Sequence, residues 1–560
     1  MKIKLYGNAV SIYLMVILFL FVGNHTLFCQ VLEHTKIGLE SIRAEDIHAY
    51  INFLASNDLE GRGTATRGLS LAGLFLASQF EKIGVAPGGS YGEYYQPFSL
   101  RSLDKITDQT YAELEDTVGN SDVMRRYLLK SDFIPFSYTA NMKVRGEVVF
   151  VGYGITAPEL NYDDYQNVDV HGKIVMLMSH VPREKDSLCV FVRDGNYIQY
   201  SNLLKKVENA EAHGALGVLL VTDPNNYDPT ASSDRKRHNL DPSGSPWPNL
   251  TPSWRDPSEL LILPQEVQRM VVVHISQGMA ADILGGTGRT LDQMQRDIDT
   301  VLVSQSRSIN HKSLTIQTSY EFSSKDTRNI IGMIEGADSL LKKEYVVFTA
   351  HYDHIGKTGN EIYNGADDNA SGSAAVLEIA EAFALNPVKP RRSILFLHVS
   401  AEEKGLLGSK YYVTNPSYPL DKTIACINLD MISRNNPDSL NIIGDDLISS
   451  DLRRIIEEAN SYIGFSFGHE YNRLNDPNMY FFRSDQYSFA TYGIPSVFYF
   501  TGTHPDYHKT TDTIEKADTK KSARVTKLAF LTGWILANRQ EPLKADGVLA
   551  QHSKYKVQKN

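Results

Sequence analysis

Glu344–Gly356 reads EYVVFTAHYDHIG. A short β-branched and aromatic run, YVVFTA, breaks into His351, Asp353 and His354. An apolar run of this length, stopped by polar residues, reads as a buried strand whose last residues project from its carboxyl end. The same pattern recurs on either side. IIGMIEG (330–336) and TIACINLDMIS (423–433) read as strands, as do RRSILFLHVSAEE (391–403) and GIPSVFYFTG (493–502). Between them, GSAAVLEIAEAFAL (372–385), GLLGSKYYVTN (405–415), LISSDLRRIIEEANSYIG (447–464) and KKSARVTKLAFLTGWILANR (520–539) have helical periodicity. Strands alternating with helices imply an α/β fold, with a mixed, largely parallel sheet flanked by helices.

In open α/β sheets, ligands bind beyond the carboxyl ends of the strands. Five separated acid and histidine positions fall there: His351, Asp367 in NGADDNASG (364–372), Glu402–Glu403 in VSAEEKG (399–405), Asp430 in INLDMIS (427–433) and His508 in PDYHKTTD (505–512). Taken singly, a histidine is an ordinary core or surface residue. Recurrence at equivalent topological places makes the case. Carboxylates and imidazoles converging from several strand ends suit zinc. An Asp placed to bridge, with a spare Glu beside a ligand Glu, suits two metals and a general base. Adjacent residues at an extended strand end point in different directions, so Glu402 and Glu403 can take different roles.

The chain has 560 residues, enough for several domains. Its hydrophobic fraction of 42% and charged fraction of 22% are those of a globular protein. A formal net charge of -10 and the lack of a basic patch with interleaved aromatics argue against nucleic acid as partner. At the N-terminus, Lys2 and Lys4 precede an apolar run from Ala9 to Gly23. That is the pattern of an export signal, expected over residues 1–29, and the run is short for a membrane span. Of the 3 cysteines, Cys29 falls with the signal, and Cys189 and Cys426 are too few for a disulfide framework or a thiolate metal site.

Upstream of the alternating region, residues 42–98 hold two amphipathic helical segments around EGRGTATRG (60–68), which reads as a plain inter-helix loop. Asp104–Ala140 is polar and poorly periodic. GEVVFVGYGI (146–155), GKIVMLMS (172–179), ALGVLLVTD (215–223) and MVVVHISQ (270–277) then mark a β-rich unit. It contains one helical segment, 202–215, and a long Pro- and Ser-rich loop, 228–254.

With these motifs in view, the chain resembles the zinc-dependent aminopeptidase Y, glutamate carboxypeptidase and transferrin-receptor-like family of two-zinc exopeptidases. The matching stretches are AHYDHIG, NGADDNASGSAAVLE, VSAEEKGLLGSKYY, INLDMISR, FFRSDQYSFATYGIPSVFYF and GTHPDYHKTTDT, with FLASNDLEGRGTATRG and YYQPFSL nearer the N-terminus. The β-rich unit resembles a protease-associated domain. The resemblance implies a signal peptide over 1–29 and an N-terminal part over 30–140 that packs on the peptidase domain. It further implies a protease-associated insertion over 141–290, a catalytic domain over 291–540 and a disordered tail over 541–560. It implies two Zn2+ per chain: His351 and Asp430 on one, Glu403 and His508 on the other, Asp367 bridging. Glu402 would be the general base. Asp353 would hydrogen-bond His351 and fix its tautomer, and Tyr507 would donate to a developing oxyanion.

Asp368 is expected to be a local hydrogen-bonding partner, and His354, His398 and His504 to be structural. Arg434 and Asp485 are weaker candidates for the pocket lining. Gln486 in SDQYSF departs from the histidine that relatives often carry, which bears on the pocket and leaves the ligand set intact. The implied activity is removal of N-terminal residues from peptides by an exported periplasmic or extracellular enzyme. No membrane partner is implied beyond the export signal. The alternatives are a carboxypeptidase of the same family, a single-zinc glutaminyl-cyclase-like transferase and an inactive receptor-like ectodomain.

Overall fold

The computed structural model describes residues 31–118, 121–136, 138–193, 196, 200–226, 261–266, 269–474, 476 and 478–550. The expected export signal and the loop 228–254 lie outside the described residues. The chain divides into two compact units. The first comprises Met1–Pro97, Arg328–His469 and Ser484–Asn560, and the second Phe98–Thr327 and Glu470–Arg483.

The first unit is built on strands β1 (Tyr320–Ile334, of which the last residues belong here), β2 (Tyr345–His351), β3 (Ser393–Val399), β4 (Thr423–Leu429), β5 (Ser439–Ile443), β6 (Ser466–Gly468) and β7 (Ser496–Phe500). Their order across the sheet is β1-β3-β2-β4-β7-β5-β6. The central strands β3, β2, β4 and β7 are mutually parallel, with β2 and β3 in register from Tyr345–Ser393 to His351–Val399. β1 and β5 pair antiparallel to β3 and β7.

A parallel strand covered on both faces needs apolar side chains on both, which explains the unbroken apolar runs. Every residue of β3 is buried, as is all of β2 but Tyr345. Helices α1 (Ala44–Leu54), α2 (Arg67–Lys82), α3 (Gly372–Leu385), α4 (Leu407–Thr414), α5 (Ser450–Asn460), α6 (Gln486–Ala490) and α7 (Thr519–Asn538) also belong to this unit. Side chains of α1, α2, α3, α5 and α7 share one core with Phe348 and Phe396 of the sheet, while Tyr412 and Phe489 belong to a second cluster with Val347 and Leu395. α3 is nearly all buried and starts at Gly372, where a Cβ would lie 2.1 Å from the Leu429 carbonyl oxygen at the end of β4. Only glycine permits that approach.

The second unit contains an eight-stranded sheet. Its centre is parallel, formed by Met142–Phe150, Ile174–Met178, Gly217–Val221 and Val271–Ile275. The segment 141–290 expected from sequence as an insertion lies within this unit. Arg307–Thr318 pairs along Met142–Phe150 and so belongs here rather than with the first unit. The segment read as aperiodic is also regular: Tyr111–Val118 and Ser121–Tyr127 form a hairpin at the sheet edge. Polar side chains occupy its solvent side, and cross-strand ion pairs such as Lys312–Asp116 at 2.5 Å place charges where a buried strand would carry apolar residues.

The expected disordered tail is partly ordered. Within 541–550, Asp546 accepts from Ser450 N at 2.8 Å and Ser450 Oγ at 2.7 Å, and Gly547 N donates to the Ile448 carbonyl at 2.9 Å. The carboxylate satisfies first-turn donors of α5, which keeps this polar segment docked. Residues 551–560 lie outside the described residues. Both free cysteines among the described residues, Cys189 and Cys426, are buried. Among the described residues, no helix is long and apolar enough to cross a membrane.

Candidate metal centre

The carboxyl edge of the parallel strands gathers the expected groups. His351 is the last residue of β2, Glu402 and Glu403 follow β3, and Asp430 follows β4. His508 sits on the loop after β7, and the segment Ala366–Ser371 leads into α3. Three residues in or beside this cluster hold left-handed backbone: Ala401 at φ 59°, Met431 at φ 56° and His508 at φ 57°. Non-glycine residues in that region cost on the order of 1–3 kcal/mol each, and surrounding packing must hold them there.

Asp368, rather than Asp367, lies between the two histidines. His351 Nε2 is 3.3 Å from Asp368 Oδ1 and 3.3 Å from Asp430 Oδ1. His508 Nε2 is 3.1 Å from Asp368 Oδ2 and 3.2 Å from Glu403 Oε2. Asp367 faces the other way. Its Oδ1 accepts from the Ser433 N–H at 2.7 Å and from Ser433 Oγ at 2.7 Å, and its Oδ2 lies 3.2 Å from His504 Nε2. The expected bridging role of Asp367 is corrected on this geometry. Adjacent side chains diverge, and Ser433 and His504 already engage the first carboxylate. Asp512 accepts from the backbone N–H of both Asp367 and Asp368 at 3.1 Å, fixing this turn.

The donor set fits divalent ions. Two groups of ligand atoms cluster, His351–Asp368–Asp430 and His354–Asp368–Glu403, and Asp368 is common to both. Ligands about 2.0–2.1 Å from a tetrahedral zinc stand about 3.3 Å from one another. The N···O separations of 3.1–3.3 Å around Asp368 match that spacing.

The remaining groups orient the cluster. His351 Nδ1 donates to the backbone carbonyl of Asp353 at 3.1 Å, while the Asp353 carboxylate is 3.9 Å away. Asp353 Oδ1 instead accepts from Glu402 N at 3.1 Å, and Oδ2 from Thr64 Oγ1 at 3.1 Å. The expected carboxylate–imidazole bond is thus replaced by a carbonyl one, and the carboxylate anchors the turn that carries Glu402. Asp430 Oδ2 accepts from Ser484 Oγ at 2.6 Å. Tyr507 stacks on His508 with centroids 3.9 Å apart. Glu402 Oε2 lies 3.9 Å from His351 Nε2. Gln486 Oε1 accepts from Asn428 Nδ2 at 3.0 Å, beneath the cluster.

The two glutamates differ electrostatically. Burial pushes the Glu402 carboxyl well above the usual range, with Glu403, Asp485 and Asp430 adding to the shift against His351. Burial also opposes ionisation of Glu403, but His508 and the hydrogen bonds from His354 and His508 hold it below the usual range. Burial, against the pull of His351, raises the Asp485 carboxyl to about 7.

One contributor lies in EGRGTATRG (60–68), the expected plain inter-helix loop. The Arg62 side chain is fully buried and donates to the carbonyls of Tyr352 (2.9 Å), Asn364 (2.7 Å), Gly365 (3.0 Å) and Leu54. It therefore ties together the turns that carry His351 and Asp368. Burial lowers its pKa to about 10, while Asp368, Asp353, Asp512 and Glu403 favour the cation. The Arg62 carbonyl in turn accepts from His354 N at 3.2 Å. Nothing in EGRGTATRG distinguishes Arg62 from Arg67, because both flank small residues.

Residues 329–532 match the model of peptidase family M28, and residues 144–246 match that of the PA domain. The chain thus carries a region of peptidase family M28 and a PA domain. The M28 match takes in every residue of the cluster from His351 to His508, and the PA match falls in the second compact unit. The chain is 37% identical over 153 residues to leupeptin-inactivating enzyme 1 of Streptomyces exfoliatus, covering 27% of this chain and 32% of that protein. It is 23% identical over 458 residues to a probable glutamate carboxypeptidase of Arabidopsis thaliana, covering 79% of this chain and 60% of that protein. The matches thus span less than two thirds of either relative. An aminopeptidase from Aneurinibacillus sp. strain AM-1 aligns in structure over 92% of this chain and 98% of its own, at 20% identity and a TM-score of 0.48.

Proposed function

We propose that this chain is a two-zinc aminopeptidase that removes N-terminal residues from peptides. The observation that carries the reading is the pair of histidines joined through one carboxylate, with a second glutamate, Glu402, held beside them by Asp353. His351 and Asp430 would hold one ion, Glu403 and His508 the other, and Asp368 both. When bound, a pair of zinc ions supplies Lewis acidity to water and to the scissile carbonyl.

The chain's own residues do the rest. Glu402 takes a proton from water and returns it to the leaving amine. Its raised proton affinity suits that exchange, since burial and the neighbouring carboxylates favour the protonated form. Asp353 holds the Glu402 backbone, and Ser484 holds Asp430. Tyr507, ring against ring with His508, is the proposed donor to the oxyanion.

A free α-amine as the recognised end is supported by Arg434. A carboxypeptidase needs a cation available for the substrate's terminal carboxylate. Arg434 Nη2 is paired with Asp506 at 2.6 Å, and its Nη1 lies 3.6 Å from Asp512. Its charge is thus paired with two carboxylates of the fold, although Nη1 makes no hydrogen bond among the described residues. The sequence pattern of residues 1–29 supports export to the periplasm or beyond.

The test is hydrolysis of amino-acid arylamides with free and blocked N-termini. Activity on the free forms alone, lost on chelation and restored by zinc, is expected. Glu402→Gln should keep its metal and lose at least 100-fold in kcat. Preference for N-blocked peptides with a free carboxylate would favour the carboxypeptidase reading instead, and wild-type turnover in Glu402→Gln would remove Glu402 as the base.

A further inference from the structure

We propose that His354 is a positioning residue for the second metal site. It would hold one oxygen of Glu403 by hydrogen bond so that the other is left for the ion. This rests on the two-metal reading above. His354 Nδ1 is 2.7 Å from Glu403 Oε1, while Glu403 Oε2 faces His508 Nε2 at 3.2 Å. The two oxygens of one carboxylate are thus divided between two imidazoles.

The short distance argues against His354 as a ligand. Two ligand atoms on one tetrahedral zinc stand about 3.3 Å apart. At 2.7 Å, His354 Nδ1 and Glu403 Oε1 are at hydrogen-bond distance, and His354 Nδ1 is 3.8 Å from Asp368 Oδ2. His508 Nε2, at 3.1 and 3.2 Å from Asp368 and Glu403, has the ligand spacing instead.

The ring has little freedom to leave. The His354 side chain is fully buried, and its backbone N–H is held by the Arg62 carbonyl. Gly365, at φ 60°, packs directly on the ring, since a Cβ there would lie 2.5 Å from His354 Cδ2. The His508 ring meets it edge-on, with centroids 5.8 Å apart. Nε2 has no hydrogen-bond partner among the described residues, so Nδ1 makes the imidazole's polar contact. A carboxylate fixed in this way binds through one oxygen in a defined direction. Partners of this kind are worth about 10–100-fold in metal affinity.

The experiment titrates cobalt(II) into metal-free full-length protein, following visible absorption and metal content after gel filtration. Wild type should take up two equivalents. In His354→Ala, one equivalent should keep its wild-type affinity and the other weaken by about 10–100-fold. His354→Asn, whose amide nitrogen can occupy the Nδ1 position, should recover most of the loss. Should His354→Ala lose both equivalents through collapse of the site, His354→Phe keeps a ring against Gly365 without the donor and carries the same comparison. Two equivalents of wild-type affinity in the donorless variants would overturn the proposal. So would His354→Asn binding as weakly as they do, the behaviour of a direct ligand. Uptake of fewer than two equivalents by wild type would instead overturn the two-metal reading.

Discussion

Asp367 and Asp368 are chemically identical neighbours with different partners. Asp368 meets both histidines, and Asp367 meets Ser433 and His504. Asp368→Asn should therefore lower metal content by at least one ion per chain and abolish hydrolysis. Asp367→Asn should leave stoichiometry at the wild-type value and act mainly on stability, by about 1–3 kcal/mol through its lost charge-assisted bonds. Metal analysis of the two variants separates them, and equal loss of metal in both would contradict the assignment. At this scale the sequence is ambiguous. Residue types mark a ligand-bearing turn, but which member of an Asp–Asp pair turns inward depends on Ser433 and Asp512, which lie far along the chain. Glu402 and Glu403 are likewise alike in sequence and divided by the partners they find, Asp353 behind one backbone and His354 and His508 around the other carboxylate.

Elements were more legible where both faces are buried. β2, β3, β4 and β7 announce themselves as continuous apolar runs because helices cover the sheet on both sides. The edge hairpin Tyr111–Tyr127 hides because its charges satisfy neighbours across the strands. The Arg62 segment hides because its function lies in the carbonyls it meets. The junction of α1 with α3 carries a prediction of its own. Glu378 of α3 is buried and accepts from the backbone N–H of Arg43, the residue that opens α1, at 3.0 Å. Burial raises its carboxyl to about 8. The Arg43 N–H opposes the shift, Asp46 and Glu381 add to it, and the Arg43 guanidinium opposes it. Tyr50 of α1 also faces this group. A carboxyl whose folded pKa exceeds its unfolded value binds more protons when folded. Its contribution is complete below about 4.5 and is lost as pH rises through about 8. Glu378→Gln keeps an acceptor for Arg43 and removes the titration. The variant should flatten the decline in stability between pH 5 and 8 and raise the thermal midpoint at pH 8. A variant that tracks wild type across that range would refute the shift.

For the whole molecule, the proposed ions are ligands of the folded state alone. Their groups come from five separate segments, so the unfolded chain offers no comparable site. Zinc at about 100 times its dissociation constant should then stabilise by about 2.7 kcal/mol. Chelation should lower the melting temperature, and an Asp368→Asn variant should not respond to zinc as wild type does. A melting curve indifferent to chelator would count against metal binding. The α/β architecture and the position of the centre at the strand ends follow from hydrophobic patterning. The boundary between the two units did not, because Arg307–Thr318 pairs with strands that precede it by over a hundred residues.

The order of the sheet has a consequence for synthesis. β2 lies between β3 and β4, and β7 adds next to β4 only after the chain has passed residue 496. A ribosome that has released everything up to Asp430 has presented one histidine and its carboxylates, but His508 is still to come. Four of the five proposed ligands are then present, and the second proposed ion site still lacks His508. The proposed two-metal centre would be complete only once the last strand and its loop have been made.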